Sequence, residues 1–196
     1  MKPLVAADIL PIAEFKAVRG RLERELLEVK AARRIALGEH MSLLFENRET
    51  CRWQIQEMCR VEGITAPTAV QHELDTYNAL LPGRGELSAT LLIEYVRPAE
   101  REVALRGLVG LHEHLWLEIA RQETILGRLD VEQFSDERIS SVQFLRFNLN
   151  EAQIIAFHDH RVEAAITCTH PAYPTRAVLR GASRGALAED LASTLD

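Results

Sequence analysis

The chain has 196 residues, 47% of them hydrophobic, which is enough apolar surface for a real core and excludes intrinsic disorder. A net charge of −6, with basic residues interleaved with glutamate, excludes a generic nucleic-acid-binding surface. No stretch approaches a membrane span, and the opening MKPLVAADILPIAEF, broken by Asp8 and Pro11, lacks the basic start and long apolar run of a signal peptide.

Residues 8–31 predict a helix. Asp8 can cap it, Pro11 fits its first turn, and Phe15, Val18, Leu22, Leu26 and Val29 recur at three- and four-residue steps. Residues 33–37 and 41–45 predict two short strands around a Gly38-Glu39-His40 turn. A second helix follows over 49–62, with Cys51, Ile55, Met58 and Cys59 as its buried stripe and Gly63 as its stop. A third starts at Thr65 and Pro67 and runs to Leu81, with Val70, Leu74 and Tyr77 inward.

Residues 87–96 predict a buried strand and 98–109 a helix. Residues 115–119 alternate as a half-buried strand, which turns at Arg121-Gln122 into a partner over 123–129. After an acidic loop at 130–137 come a strand at 141–149, a short helix capped by Asn150, strands at 161–169 and 176–179, and a closing helix at 182–193. Strands joined now by turns and now by helices predict an α+β fold: a mainly antiparallel sheet with helices packed on one face. The expected organisation is a single domain, helix-rich over about 1–110 and strand-rich over about 111–196. Spare sheet edges would suit a homodimer.

Cysteine usage points to a reducing compartment. Cys51 and Cys59 sit two helical turns apart, roughly 12 Å, too far for a disulfide. With no CxxC, a cytoplasmic protein is the simplest expectation.

Functional-looking polar groups crowd residues 39–95. On the second helix Gln54 and Glu57 share one flank of the apolar stripe; on the third, Glu73 flanks Val70 and Tyr77, while His72 and Asp75 point outward. In an antiparallel hairpin Glu57 and Glu73 could meet at the core edge. With Arg48 holding an anionic substrate they would form a candidate catalytic set; with His40, a candidate metal site for iron or zinc. Glu46, Gln54 and Glu86 are candidate ligand-binding residues at neighbouring ends. The plainer alternative is that Glu57 and Glu73 are satisfied by Arg48 or by helix-end backbone. Asn47 and Glu49 have helix-start roles, whereas Arg48 at a helix start opposes the dipole and suits an anion or carboxylate. His112 and His114 would share one side of a strand, as a metal chelate or an exposed strand entry. His158-Asp159-His160 and His170-Pro171-Ala172-Tyr173 read as turns. No nucleotide motif is present, and LPGRGE, residues 81–86, lacks the Lys-Ser/Thr of a P-loop. Nor is there a GxSxG or an activated cysteine.

The runs LGEHMSLLFENRET, QIQEM and HELDTYNALLPGRGELSATLLIE, with the later DVEQFSDERISSVQFLRF and THPAYPTRAVL, resemble an uncharacterised bacterial family catalogued as a domain of unknown function. The likeness covers nearly the whole chain. That family's genes often neighbour those of rubrerythrin and of a cysteine-rich iron–sulfur oxidoreductase. The resemblance implies an accessory or partner of a non-haem iron/iron–sulfur, peroxide-related redox system. It implies no catalytic residues. A small enzyme with a glutamate base, and a non-catalytic interaction module, are the alternatives.

Overall fold

The computed structural model describes residues 1–129 and 137–195, so nearly all of the expected acidic loop lies outside them. The fold is α+β with a helix-rich N-terminal part. Among the described residues the helices are α1 (Ile12–Arg33), α2 (Arg48–Glu62), α3 (Pro67–Asn78), α4 (Pro98–Gly107), α5 (Glu151–His158) and α6 (Gly181–Ala192). The strands are β1 (Arg34–Leu37), β2 (Met41–Phe45), β3 (Glu86–Ile93), β4 (Leu115–Ile119), β5 (Ile125–Leu126), β6 (Arg128–Leu129), β7 (Val142–Asn148), β8 (Ala164–Cys168) and β9 (Thr175–Val178).

They form two sheets where the sequence suggested one. The first has the order β1-β2-β3-β7-β6 and the second β5-β4-β8-β9, with every pairing antiparallel. The expected strand at 123–129 is the reason. It breaks at Gly127 into β5 and β6, which belong to different sheets. A Cβ at Gly127 would lie 2.4 Å from Leu145 Cδ1 and 3.3 Å from the Leu115 carbonyl, so any side chain at the crossing would have to displace the buried Leu145.

Alternation along the central strands sorts their two faces. Leu87, Ala89, Leu91 and Ile93 of β3 join Leu43 and Phe45 of β2 and Leu145 and Phe147 of β7 in the main core, with residues of the second sheet, α4, α5 and α6. The other face carries Ser42, Glu46, Glu86, Ser88, Thr90 and Arg146. A second apolar cluster of Leu4, Cys51, Ile55, Cys59, Leu74 and Leu81 joins α2, α3 and the N-terminal segment.

Local chemistry explains the helix ends. Asn47 caps α2 by accepting from the Thr50 N–H at 3.0 Å, while Thr50 Oγ1 accepts from the Asn47 N–H at 3.0 Å. Gly63 ends α2 in the left-handed region at φ 66°. Asp8 caps a short 3-10 turn (Ala6–Asp8), and α1 begins only after Pro11. The helix expected to run to Leu81 stops at Asn78. Arg146 there donates to the carbonyls of Ala79 and Leu81 and closes the end of α3 onto the first sheet.

Candidate functional site

The structure places the expected site residues in separate neighbourhoods. Glu57 faces α1 and is held by Arg19 at 2.6 Å and by Arg60 at 2.7 Å. Burial alone would raise its pKa, but hydrogen bonds from Arg60 and Arg19 outweigh that and hold it below the usual carboxylate range. Cys59, two residues on, points about 200° away around α2, into the cluster shared with α3. Glu73 lies on that side, close enough to Cys59 and Tyr77 for its charge to raise both of their pKa values after burial has done so. Glu57 and Glu73 therefore flank opposite sides of α2 rather than meeting at one core edge.

Arg48 stands nine residues before Glu57, about 13 Å along the helix axis. The anion it was expected to serve is internal: Asp8 accepts from it at 2.5 Å, and the Lys2 carbonyl at 3.3 Å. The Val5 N–H and then Arg48 keep the Asp8 carboxyl below its ordinary pKa. His40 is at the β1–β2 turn, its ring stacked on Tyr95 with centroids 4.0 Å apart. Its backbone N–H donates to the Tyr173 hydroxyl at 2.7 Å, and that hydroxyl donates to the Leu37 carbonyl at 3.0 Å. Among the described residues no group of three His, Cys, Asp or Glu side chains is placed to hold a metal ion.

The candidate ligand-binding residues are likewise placed apart. Glu46 is buried and accepts from Thr50 Oγ1 at 2.5 Å and Thr90 Oγ1 at 2.6 Å. Glu86 is buried, accepts from the Gly83 N–H at 2.8 Å and pairs with Arg146, which fills the LPGRGE turn with the chain's own carboxylate. Gln54 is half-buried on α2. His112 and His114 do not share a strand face, because residues Leu111–Glu113 form a 3-10 turn. His114 instead meets Thr169 at 3.1 Å and lies edge-on to His170, whose Nε2 is 3.1 Å from the Val109 carbonyl. All three thiols are free and buried. Burial, and then the Glu46 charge, push Cys51 up to about 12, and burial also raises Cys59 and Cys168.

A feature with the shape of a binding site lies on the α1 side of α2. A cleft of about 540 Å³ separates α1 from α2 and is bounded at one end by Ala7, Asp8 and Leu10. Its floor is apolar: Phe15, Val18, Leu22, Leu26 and Trp53, with Phe15 edge-on to Trp53 at 5.5 Å. The volume falls in the range of real ligand clefts, roughly 300–1,000 Å³. The rim carries Asp8, Glu14, Glu25 and Glu49 against Arg21 and Arg52. Both arginines are paired along their own helices, Arg21 with Glu25 at 2.8 Å and Arg52 with Glu49 at 2.7 Å. Exposed pairs of this kind contribute about 0–1 kcal/mol each, so they exchange partners readily.

Two amides fasten the N-terminal segment, and one of them, Gln56, lines this cleft. Gln56 exchanges two hydrogen bonds of 2.8 Å with the Leu10 backbone, and Asn78 does the same with Leu4 at 2.8 and 2.9 Å. Neither amide is among the site residues that the sequence suggests. The signal was there: Gln56 sits one residue from Ile55, within the apolar stripe, where an amide demands a partner.

The profile of a family described as protein of unknown function (DUF3501) matches residues 3–191. The crystal structure of a novel protein of unknown function from Burkholderia pseudomallei is similar at 33% identity and TM-score 0.90, covering 97% of this chain and 100% of that one. No curated protein matches the chain.

Proposed function

We propose that this chain, which belongs to the DUF3501 family, is a non-catalytic accessory protein that binds an amphipathic helix of a partner protein in the α1–α2 cleft. The observation that carries the reading is the cleft itself. Its apolar floor follows α1 from Phe15 to Val29, about 21 Å or four helical turns. Helix-in-groove recognition uses such a floor, with anchors spaced three and four residues apart. With Arg48 held on Asp8 and the rim arginines on Glu25 and Glu49, Glu14 leaves the rim a net negative charge, which favours a partner helix with basic flanks.

The rest of the structure supports a binding role over chemistry. Glu57, Arg48 and Glu86 are spent on internal ion pairs. Buried thiols with raised pKa values are poor nucleophiles and poor electron relays. An accessory in a non-haem iron/iron–sulfur system fits this behaviour, because the partners would hold the metal. Rubrerythrin-like and iron–sulfur oxidoreductase proteins are the proposed partners, and three free thiols suit the reducing cytoplasm where they work. No helix among the described residues is long and apolar enough to cross a membrane.

The test is calorimetric titration of each purified candidate partner into the wild-type chain and into Leu22→Glu. Leu22 is half-buried on the cleft floor, so a carboxylate there spoils the groove without opening the main core. Saturable binding that Leu22→Glu removes supports the proposal. Binding that survives the substitution unchanged, or that neither partner shows, ends it.

A further inference from the structure

The solvent face of α1 carries a seam that nothing in the chain covers. Ala13, Ala17, Gly20, Arg24, Leu27 and Ala31 follow one another at alternating steps of four and three, the spacing of a coiled-coil core. At about 100° per residue this seam lies nearly opposite the cleft floor of Phe15, Val18, Leu22 and Leu26. Every residue on it is exposed, and Leu27, its one large apolar side chain, is 61% exposed. Gly20 weakens the helix interior, yet a Cβ there would meet only the far end of Arg24, at 4.0 Å. No contact within the chain requires glycine at this position, whereas a second helix packed closely on the seam does.

The charges along the two flanks say what fits the seam. One flank has Glu14, Arg21 and Glu28, and the other Lys16, Glu23 and Lys30, so the sign reverses at every heptad on both. Two α1 helices paired in parallel would set Lys16 against Arg21 and Glu23 against Glu28, like against like. Paired antiparallel in direct register, they would set Arg21 against Arg21 and Glu23 against Glu23. Shifted by one heptad, the antiparallel pair sets Arg21 of each copy against Glu28 of the other, and Glu23 against Lys30. All of the flanking contacts are then attractive. The same shift brings the two Leu27 side chains together at the two-fold axis, covered by the Arg24 stems, and sets Gly20 against Ala31. Glu28 and Lys30 make no ion pair among the described residues. Their counterparts hold pairs within α1, Arg21 with Glu25 at 2.8 Å and Glu23 with Arg19 at 3.0 Å, of the kind that exchange readily.

We propose that α1 pairs with α1 of a second copy of this chain, antiparallel and shifted by one heptad, to form a two-fold homodimer. The paired stretch spans residues 18–33, about 24 Å, which is at the small end for a specific interface, so the dimer is reversible. The cleft floor faces away from the seam, and the proposal does not rest on what the cleft binds.

The experiment is sedimentation equilibrium of the full chain over a concentration series, at low and high salt. A monomer–dimer equilibrium that salt weakens is the expected result. Leu27→Asp is expected to abolish the dimer. Glu28→Arg, which faces Arg21 of the second copy, is expected to raise the dissociation constant about tenfold or more. Adding Arg21→Glu to Glu28→Arg exchanges the signs and is expected to restore association. These positions are exposed, so each variant should keep the wild-type thermal midpoint. A chain that stays monomeric up to its solubility limit would overturn the proposal. So would a dimer that Leu27→Asp and Glu28→Arg leave unchanged, since its contact would lie elsewhere, or a double variant no more associated than Glu28→Arg.

Discussion

Gln56 and Leu10 hold one another by two hydrogen bonds of 2.8 Å, side-chain amide to backbone, across forty-six positions of sequence. With the Asn78–Leu4 pair and the Arg48–Asp8 ion pair, this fastens the N-terminal segment along α2 and α3. Gln56→Leu removes both bonds and leaves a backbone N–H and C=O without their partner. The expected cost is about 1–3 kcal/mol in urea unfolding. Amide exchange over residues 4–10 should quicken more than exchange in β3. Uniform loss of protection across the molecule would show that the clamp is not local.

Glu57 makes stability pH-dependent in a definite direction. Its carboxyl titrates below its ordinary 4.5 in the folded chain. The stabilisation from Arg19 and Arg60 is therefore complete above that value and fades as pH falls through the folded pKa. Glu57→Gln should lower stability near neutrality by on the order of 1 kcal/mol, since the cluster is partly screened by solvent. The gap between variant and wild type should close in acid. A gap that stays constant from neutral pH into acid would contradict this account.

Arg33 and Asp190 form a buried ion pair at 2.7 Å that ties α1 to α6, with Asn47 adding a 3.4 Å contact to the same carboxylate. Removing one partner leaves a buried charge uncompensated. Arg33→Met or Asp190→Asn alone should each cost about 3–5 kcal/mol, and the double variant clearly less than their sum. Strict additivity in chemical denaturation would mean that the pair is not coupled.

Gly38 turns the β1–β2 hairpin at φ 72°, and a Cβ there would lie 2.6 Å from the Tyr173 hydroxyl. Gly38→Ala therefore meets both backbone strain and a clash, with an expected loss of about 1–3 kcal/mol in thermal or urea unfolding. Tyr173→Phe in the same chain should not recover it, because the ring carbons remain 3.0 and 3.1 Å from that Cβ and the hydroxyl's bonds with the His40 N–H and the Leu37 carbonyl are lost. A Gly38→Ala variant as stable as the wild type would contradict this account.

Elements with local causes were legible in the sequence. Asn47, Gly63 and Asn150 mark helix ends by their own chemistry, and the Gly38 turn marks its hairpin. The split at Gly127 was not legible, because it depends on Leu145 and Leu115, neither of which is a sequence neighbour. The site suffered from the same limit. The helical wheel correctly set Glu57 on the flank of the stripe but could not show which helix it faced. That is decided by Arg19, thirty-eight residues earlier. Arg48 found its carboxylate in Asp8, forty residues away, and Arg146 found Glu86. Periodicity marks the α1 stripe but not what covers it. Phe15 and Leu26 are buried, but Val18, Leu22 and Val29 remain half-exposed along the cleft.

The central claim is that the α1–α2 cleft receives a partner's helix, and titration of the purified rubrerythrin-like and iron–sulfur proteins proposed as partners tests it most directly. Trp53, on the cleft floor, provides an independent fluorescence signal for the same event. The account predicts saturable binding that changes Trp53 emission and is lost in Leu22→Glu while the thermal midpoint of that variant stays near wild type. Binding that leaves Trp53 unchanged and persists in Leu22→Glu, or no binding by either partner, would contradict it.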